Sequence, residues 1–150
     1  MPIRCEIVSQ DRLVYEGEAD MVVVPGAGGE MGILPNHAPL LSALKYGLLR
    51  VRAHGNEEVF TVAGGVVEVL PDRVTVMADA AENVAEIDVA RAEQARKRVE
   101  DLLQQGVPRD SDDFLALEAA MRRSNLRIEA ARRYRSHRAK TSGDYSGGEA

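Results

Sequence analysis

Three histidines, a single cysteine and one glycine-rich segment are the residues from which chemistry would most readily be built, and each lacks the neighbours that chemistry needs. His37, His54 and His137 are scattered, with no cysteine or carboxylate at ligand spacing, so no metal site is expected. His37 stands between two prolines in Pro35-Asn36-His37-Ala38-Pro39, where hydrogen bonding inside a rigid turn is the expected task. A general base there would need a nucleophile or acid within reach, and none can be identified. The segment Gly26-Ala27-Gly28-Gly29-Glu30-Met31-Gly32 follows an apolar run as a dinucleotide loop would. Its glycines miss the required spacing, however, and Ile33-Leu34-Pro35 forbids the helix that should receive a pyrophosphate, so it is read as a loop or turn. Cys5 has no partner for a disulfide, which points to a reducing or redox-indifferent compartment with the cytoplasm as default. With no base and nucleophile set, no group of residues here is equipped for catalysis.

The charge is unevenly distributed. Residues 1–87 hold 6 basic and 13 acidic side chains, whereas residues 88–150 hold 13 basic and 11 acidic ones. Arg122 to Lys140 is dense in arginine, with Arg109 just before it, and such a stretch wants an acidic partner: phosphate, carboxylate or headgroup. One rival reading is a nucleic-acid-binding module using MRRSNLRIEAARRYRSHRAK, but Tyr134 is the one aromatic in it and the acidic first half is left unexplained. The opening MPIRCEIVSQ has no apolar signal-peptide core, and no apolar run approaches the ~18 residues of a membrane span. Work at a membrane is therefore expected to go through partners.

The elements that must position these residues fall into two kinds. From Pro2 to about Met77 the apolar period is two, broken by closely spaced turn residues, as in antiparallel sandwiches and barrels. Ile3, Cys5 and Ile7 alternate with Arg4 and Glu6; Met21–Val24 ends at Pro25-Gly26. The runs 48–52 and 59–62 flank His54-Gly55-Asn56 as a hairpin, and 66–70 and 74–77 flank Pro71-Asp72-Arg73 as a second. After Asp88 the period becomes 3.6, with Val89, Ala92, Val99, Leu102 and Leu103 on one stripe and Asp88 as the expected cap. Gly106-Val107-Pro108 interrupts it, Asp110, Ser111, Asp112 and Asp113 open a second helix, and Phe114, Leu117, Met121 and Ile128 carry its stripe to about Arg133. A short breaker makes the helices antiparallel neighbours, and their many alanines allow close approach. A pair so poor in large apolar groups buries little surface, which marks it as the moving part. The expected organisation is a β unit over 1–86, a hairpin over 87–135 and a tail over 136–150 without fixed structure, whose last ten residues, TSGDYSGGEA, have little to bury.

Three strings carry a family likeness: Gly32-Ile-Leu-Pro-Asn-His-Ala-Pro-Leu40, Val62-Ala-Gly-Gly-Val-Val-Glu-Val69 and Pro71-Asp-Arg-Val-Thr-Val76. They closely resemble signatures of the epsilon subunit family of rotary ATP synthases, bacterial type, and the resemblance runs in order over roughly residues 3–133. It implies an α+β protein, a flattened ten-stranded antiparallel β sandwich followed by an antiparallel two-helix hairpin. It also implies a non-catalytic central-stalk subunit that couples the gamma subunit to the c ring and inhibits ATP hydrolysis through an ATP-sensitive hairpin. The location implied is peripheral, on the cytoplasmic side of the cell inner membrane.

Ile87-Asp-Val-Ala-Arg-Ala92 resembles the pattern of bacterial members that bind ATP between the hairpin helices. By that resemblance Glu82, Asp88, Arg91, Ala92 and Arg98 form one wall of a regulatory ATP site, with Arg123 and Arg127 on the other, and no metal required. Spacings of seven and four residues keep each arginine pair on one helix face, suited to gripping a polyphosphate. The competing reading is solvated arginines beside an Asp88 cap. The resemblance further puts Glu30 and His37 toward the c ring and gamma, and Arg122, Arg123, Arg132 and Arg133 against the alpha and beta catalytic subunits when the hairpin extends. From Asp112 to Arg133 an extended helix would reach about 33 Å.

Overall fold

The computed structural model describes the backbone of residues 1–143 and the side chains of residues 1–135. It divides after Glu86 into two compact units, Met1–Glu86 and a second that begins at Ile87.

The first unit is built from β1 (Ile3–Val8), β2 (Leu13–Ala19), β3 (Met21–Gly26), β4 (Gly29–Ile33), β5 (Leu40–Ala53), β6 (Asn56–Leu70), β7 (Arg73–Ala78) and β8 (Ala81–Asn83). The strands form one sheet in the order β2-β1-β7-β6-β5-β3-β4, with β8 on β6. That sheet is folded over on itself. Tyr15 of β2 and Phe60 of β6 have two strands, β1 and β7, between them in the order, yet their rings meet at a centroid distance of 5.4 Å and an angle of 60°. Alternation supplies the filling: Ile3, Cys5 and Ile7 of β1, Val67 and Val69 of β6, and Val74 and Val76 of β7 are fully buried in one core with Val22, Val24, Ile33, Leu49 and Phe60.

The count is eight strands where ten were expected, and β5 and β6 account for the difference. Both are long, and both cross from one layer to the other. Leu40–Leu44 of β5 pairs with Gly65–Val69 of β6, while Tyr46–Ala53 pairs with Asn56–Ala63. Between those stretches β6 also changes its other neighbour, from β8 at Phe60–Val62 to β7 at Gly65–Leu70. Counting each long strand once per layer restores ten segments. The bend itself demands glycine: Gly64 and Gly65 have φ of 84° and 125°, and a Cβ on Gly65 would overlap the Met77 carbonyl oxygen and stand 2.8 Å from Ala78 Cα. The pairing of β1 with β7 is parallel, the exception in an otherwise antiparallel sheet. Two-residue turns close both expected hairpins, His54-Gly55 with φ of 52° and 76° and Pro71-Asp72.

The second unit contains α1 (Val89–Gln104) and α2 (Asp112–Gly143), packed together as a hairpin. Gly106, with φ of 86°, ends α1. Ala92 is the fully buried residue of α1; Ser124, Ile128, Ala130 and Ala131 are buried in α2. Leu102 is not on the buried stripe: it is 46% exposed, whereas Leu103 is half-buried. Ten residues beyond Ala92 a helix has turned about 280°, and eleven bring it back to about 20°, which favours Leu103. The helix α2 also continues to Gly143, eight residues past the expected end of the hairpin at 135, because 136–142 contains no glycine or proline to stop it. The remainder of that expected tail, 144–150, lies outside the described residues.

Candidate functional site

Asp88 stands immediately before α1. Its backbone is extended, its carbonyl accepts from Ala92 N at 3.0 Å, and its carboxylate accepts from Arg91 N at 3.1 Å, so it caps α1. This brings Asp88, Arg91 and the buried Ala92 together at the start of α1. Arg91 itself points its charge to solvent, as does Arg98 two turns further on. On α2, Ser111 accepts from Phe114 N at 3.2 Å and caps the helix; Arg123 is exposed and Arg127 half-buried. Among the described residues Arg91, Arg98 and Arg123 hold no ion pair, whereas Arg127 has an interaction partner. Glu82 lies in β8 of the first unit, opposite Thr61 of β6, and is likewise engaged.

The arginines assigned to a partner divide in the same way. Arg122 is exposed, Arg133 is engaged, and Arg132 donates from Nη2 to Glu93 Oε1 of α1. Glu93 was not among the residues singled out from the sequence. It lies 39 positions from Arg132, and no local spacing rule links residues on different helices.

On the β unit, Glu30 is exposed in β4, just after the two-residue loop Ala27-Gly28 that joins it to β3. The loop is held where Ala27 N donates to Ala43 O at 2.8 Å. His37 occupies a pinned turn: Asn36 adopts a φ of 65° and donates from its N to Pro71 O at 2.8 Å, and His37 N donates to Leu34 O at 3.2 Å. The His37 Nδ1 lies 2.7 Å from Ala38 O, an acceptor, so the proton of the neutral ring belongs on Nδ1. Sequence reasoning missed a row of outward-facing apolar side chains. Ala43, Val66 and Met77 are exposed and lie side by side on β5, β6 and β7, continued by the half-buried Val8 of β1, with Leu41 at 68% exposure two residues along β5. Their positions alternate with the core residues, so the signal was present in the period-two pattern as apolar residues on both faces.

Among the described residues no helix is long and apolar enough to cross a membrane, and no group of three or more His, Cys, Asp or Glu could hold a metal ion.

A folded-over sheet joined to a helical hairpin, with an apolar row on the one and exposed arginines on the other, defines a two-unit β-sandwich and hairpin protein. The family model described as ATP synthase, Delta/Epsilon chain, beta-sandwich domain, matches residues 2–84. Curated relatives named ATP synthase epsilon chain are similar over almost the whole chain. The protein from Herpetosiphon aurantiacus is 42% identical over 132 residues, covering 88% of this chain and 96% of its own. That from Dehalococcoides mccartyi is 44% identical over 138 residues, 90% and 96% of the two chains. The chain belongs to the ATP synthase epsilon chain family. Its fold also matches a chain in the cryo-EM structure of the Euglena gracilis mitochondrial ATP synthase, with a TM-score of 0.69, 22% identity, and coverage of 87% of this chain and 81% of that one. A second match, in the Tetrahymena thermophila mitochondrial ATP synthase central stalk and c-ring structure, has a TM-score of 0.58, 16% identity, and coverage of 87% and 97%.

Proposed function

We propose that this chain serves as a non-catalytic central-stalk subunit of a proton-translocating ATP synthase, coupling the gamma subunit to the c ring through its β unit and restraining ATP hydrolysis through its hairpin. Family membership supports the assembly. The row Ala43–Val66–Met77 supports a protein partner on the β unit, since an apolar strip of this kind is normally covered. Glu30 and His37, on a short hairpin and a pinned turn, are the residues assigned to the c ring and gamma side. Such a subunit sits at the membrane periphery, on the cytoplasmic side, held there by its partners.

The regulatory half rests on one observation: Arg91, Arg98 and Arg123 carry positive charge on both helices of a closed hairpin and, among the described residues, pair with no carboxylate. Regulatory ATP, held by these arginines with Arg127, Asp88 and Ala92, would tie α1 to α2 and so prefer the closed form. A ligand moves such an equilibrium only by its differential affinity for the two forms. In the extended form α2 would rise along gamma and place Arg122, Arg123, Arg132 and Arg133 near acidic segments of the catalytic beta subunits.

Calorimetric titration of the isolated chain with ATP tests the ligand. Arg91→Ala should weaken binding about ten- to a hundredfold, the equivalent of one charge-assisted hydrogen bond. Absence of binding to the unmodified chain at millimolar ATP, or equal binding by Arg91→Ala, would remove the nucleotide from the account and leave Asp88 as a helix cap alone.

A further inference from the structure

The closed hairpin has little to hold it shut. Among the described residues its buried side chains on α1 and α2 are Ala92, Ser124, Ile128, Ala130 and Ala131, of which Ile128 alone is large. Small side chains contribute little transfer energy, so closed and open arrangements of such a pair are close in free energy and a modest extra term decides their ratio. A polar contact between Arg132 Nη2 and Glu93 Oε1 bridges the helices at the end away from their connecting loop. Glu93 is the fifth residue of α1 and Arg132 lies 39 positions later, so the contact can exist only while the helices are side by side.

We propose that Glu93 and Arg132 form the latch of the closed hairpin. The carboxylate has a second consequence, which rests on the function proposed above. Arg132 belongs to the group of arginines that would meet acidic partner surfaces when α2 extends, and Glu93 occupies that guanidinium in the closed form. Glu93 thus acts as an internal competitor for the partner's carboxylates: Arg132 must leave one before engaging the other. Side-chain exposures of 61% for Arg132 and 40% for Glu93 leave both groups reachable by water and salt. The latch is therefore weak, reversible and sensitive to ionic strength, as a switch element needs to be.

The test uses the full-length isolated chain without nucleotide or partners, so its outcome does not depend on the function proposed above. Spin labels placed on cysteines at the exposed positions Lys97 and Asn125, in a Cys5→Ala background, report the ratio of open to closed hairpin as a distance distribution. Glu93→Gln and Arg132→Gln should each raise that ratio about two- to fivefold at low salt, and the double variant should match either single one instead of showing their product. Raising the salt from about 20 mM to 0.5 M should open the parent chain and leave the three variants unchanged. Single variants that leave the ratio unaltered, or effects that multiply in the double variant, would overturn the latch. Hydrolysis by the assembled enzyme reads the function separately: with the latch established, Glu93→Gln should deepen inhibition, and unchanged hydrolysis would overturn the competition for Arg132.

Discussion

Cys5 has no exposed surface in β1, and burial, with the Glu6 carboxylate adding to it, pushes its thiol up from 9.0 to about 12. The folded state thereby favours the neutral thiol. Its stabilising contribution is fully present below pH about 9, where the unfolded chain's thiol is also neutral, and is lost as pH rises from there toward 12. Tyr15, also raised by burial, acts in the same direction. Urea unfolding at intervals from pH 8 to 11 should show stability falling with pH, with a shallower fall in Cys5→Ala; an unchanged slope would count against the thiol as its source. At the start of α1, Asp88→Ala should cost about 1 kcal/mol through loss of the cap, whereas Arg91→Ala, an exposed residue off the packed stripe, should alter stability by less than about 0.5 kcal/mol. Thermal unfolding of the two variants separates them. The Asp88 cap was legible because capping is local, three residues from the accepting carboxylate to the donor N–H. The bond between Glu93 and Arg132 was not, because two amphipathic stripes do not by themselves state which residues stand opposite one another.

At the scale of elements, the bend in β6 shows what periodicity can and cannot supply. Alternation identified Val66–Leu70 and Val59–Val62 as strands, but Gly64-Gly65 between them reads as a break. In the folded chain β6 passes through both glycines without ending, because its bend keeps the ladder to β5 on either side. A side chain at position 65 meets two obstacles together, a left-handed φ of 125° and overlap with the Met77 carbonyl. Gly65→Ala should therefore cost about 3 kcal/mol or more, measured by urea unfolding. A loss below about 1 kcal/mol would show that β7 can move aside, and that the bend is not fixed by contact with it. The helical stripes were legible to within one residue, Leu102 being taken with Leu103, and α2 outran its expected end because a charged run without glycine or proline still makes a helix. β2, β4 and β8 were missed; they are short and partly polar, and their pairing depends on neighbours distant in sequence.

For the molecule as a whole, the residues that form the main core, from Ile3 to Ala78, all precede Glu86. A fragment ending at Glu86 should fold by itself and unfold cooperatively on heating, and a broad, non-cooperative transition would show that the second unit is needed to complete it. The central claim is a division of labour between a β unit that couples and a hairpin that regulates. It is tested most directly by assembling the ATP synthase with this chain truncated after Glu86 and measuring proton-coupled ATP synthesis and ATP hydrolysis side by side. The account predicts that synthesis stays largely intact while hydrolysis rises. Loss of coupling with hydrolysis unchanged would contradict it.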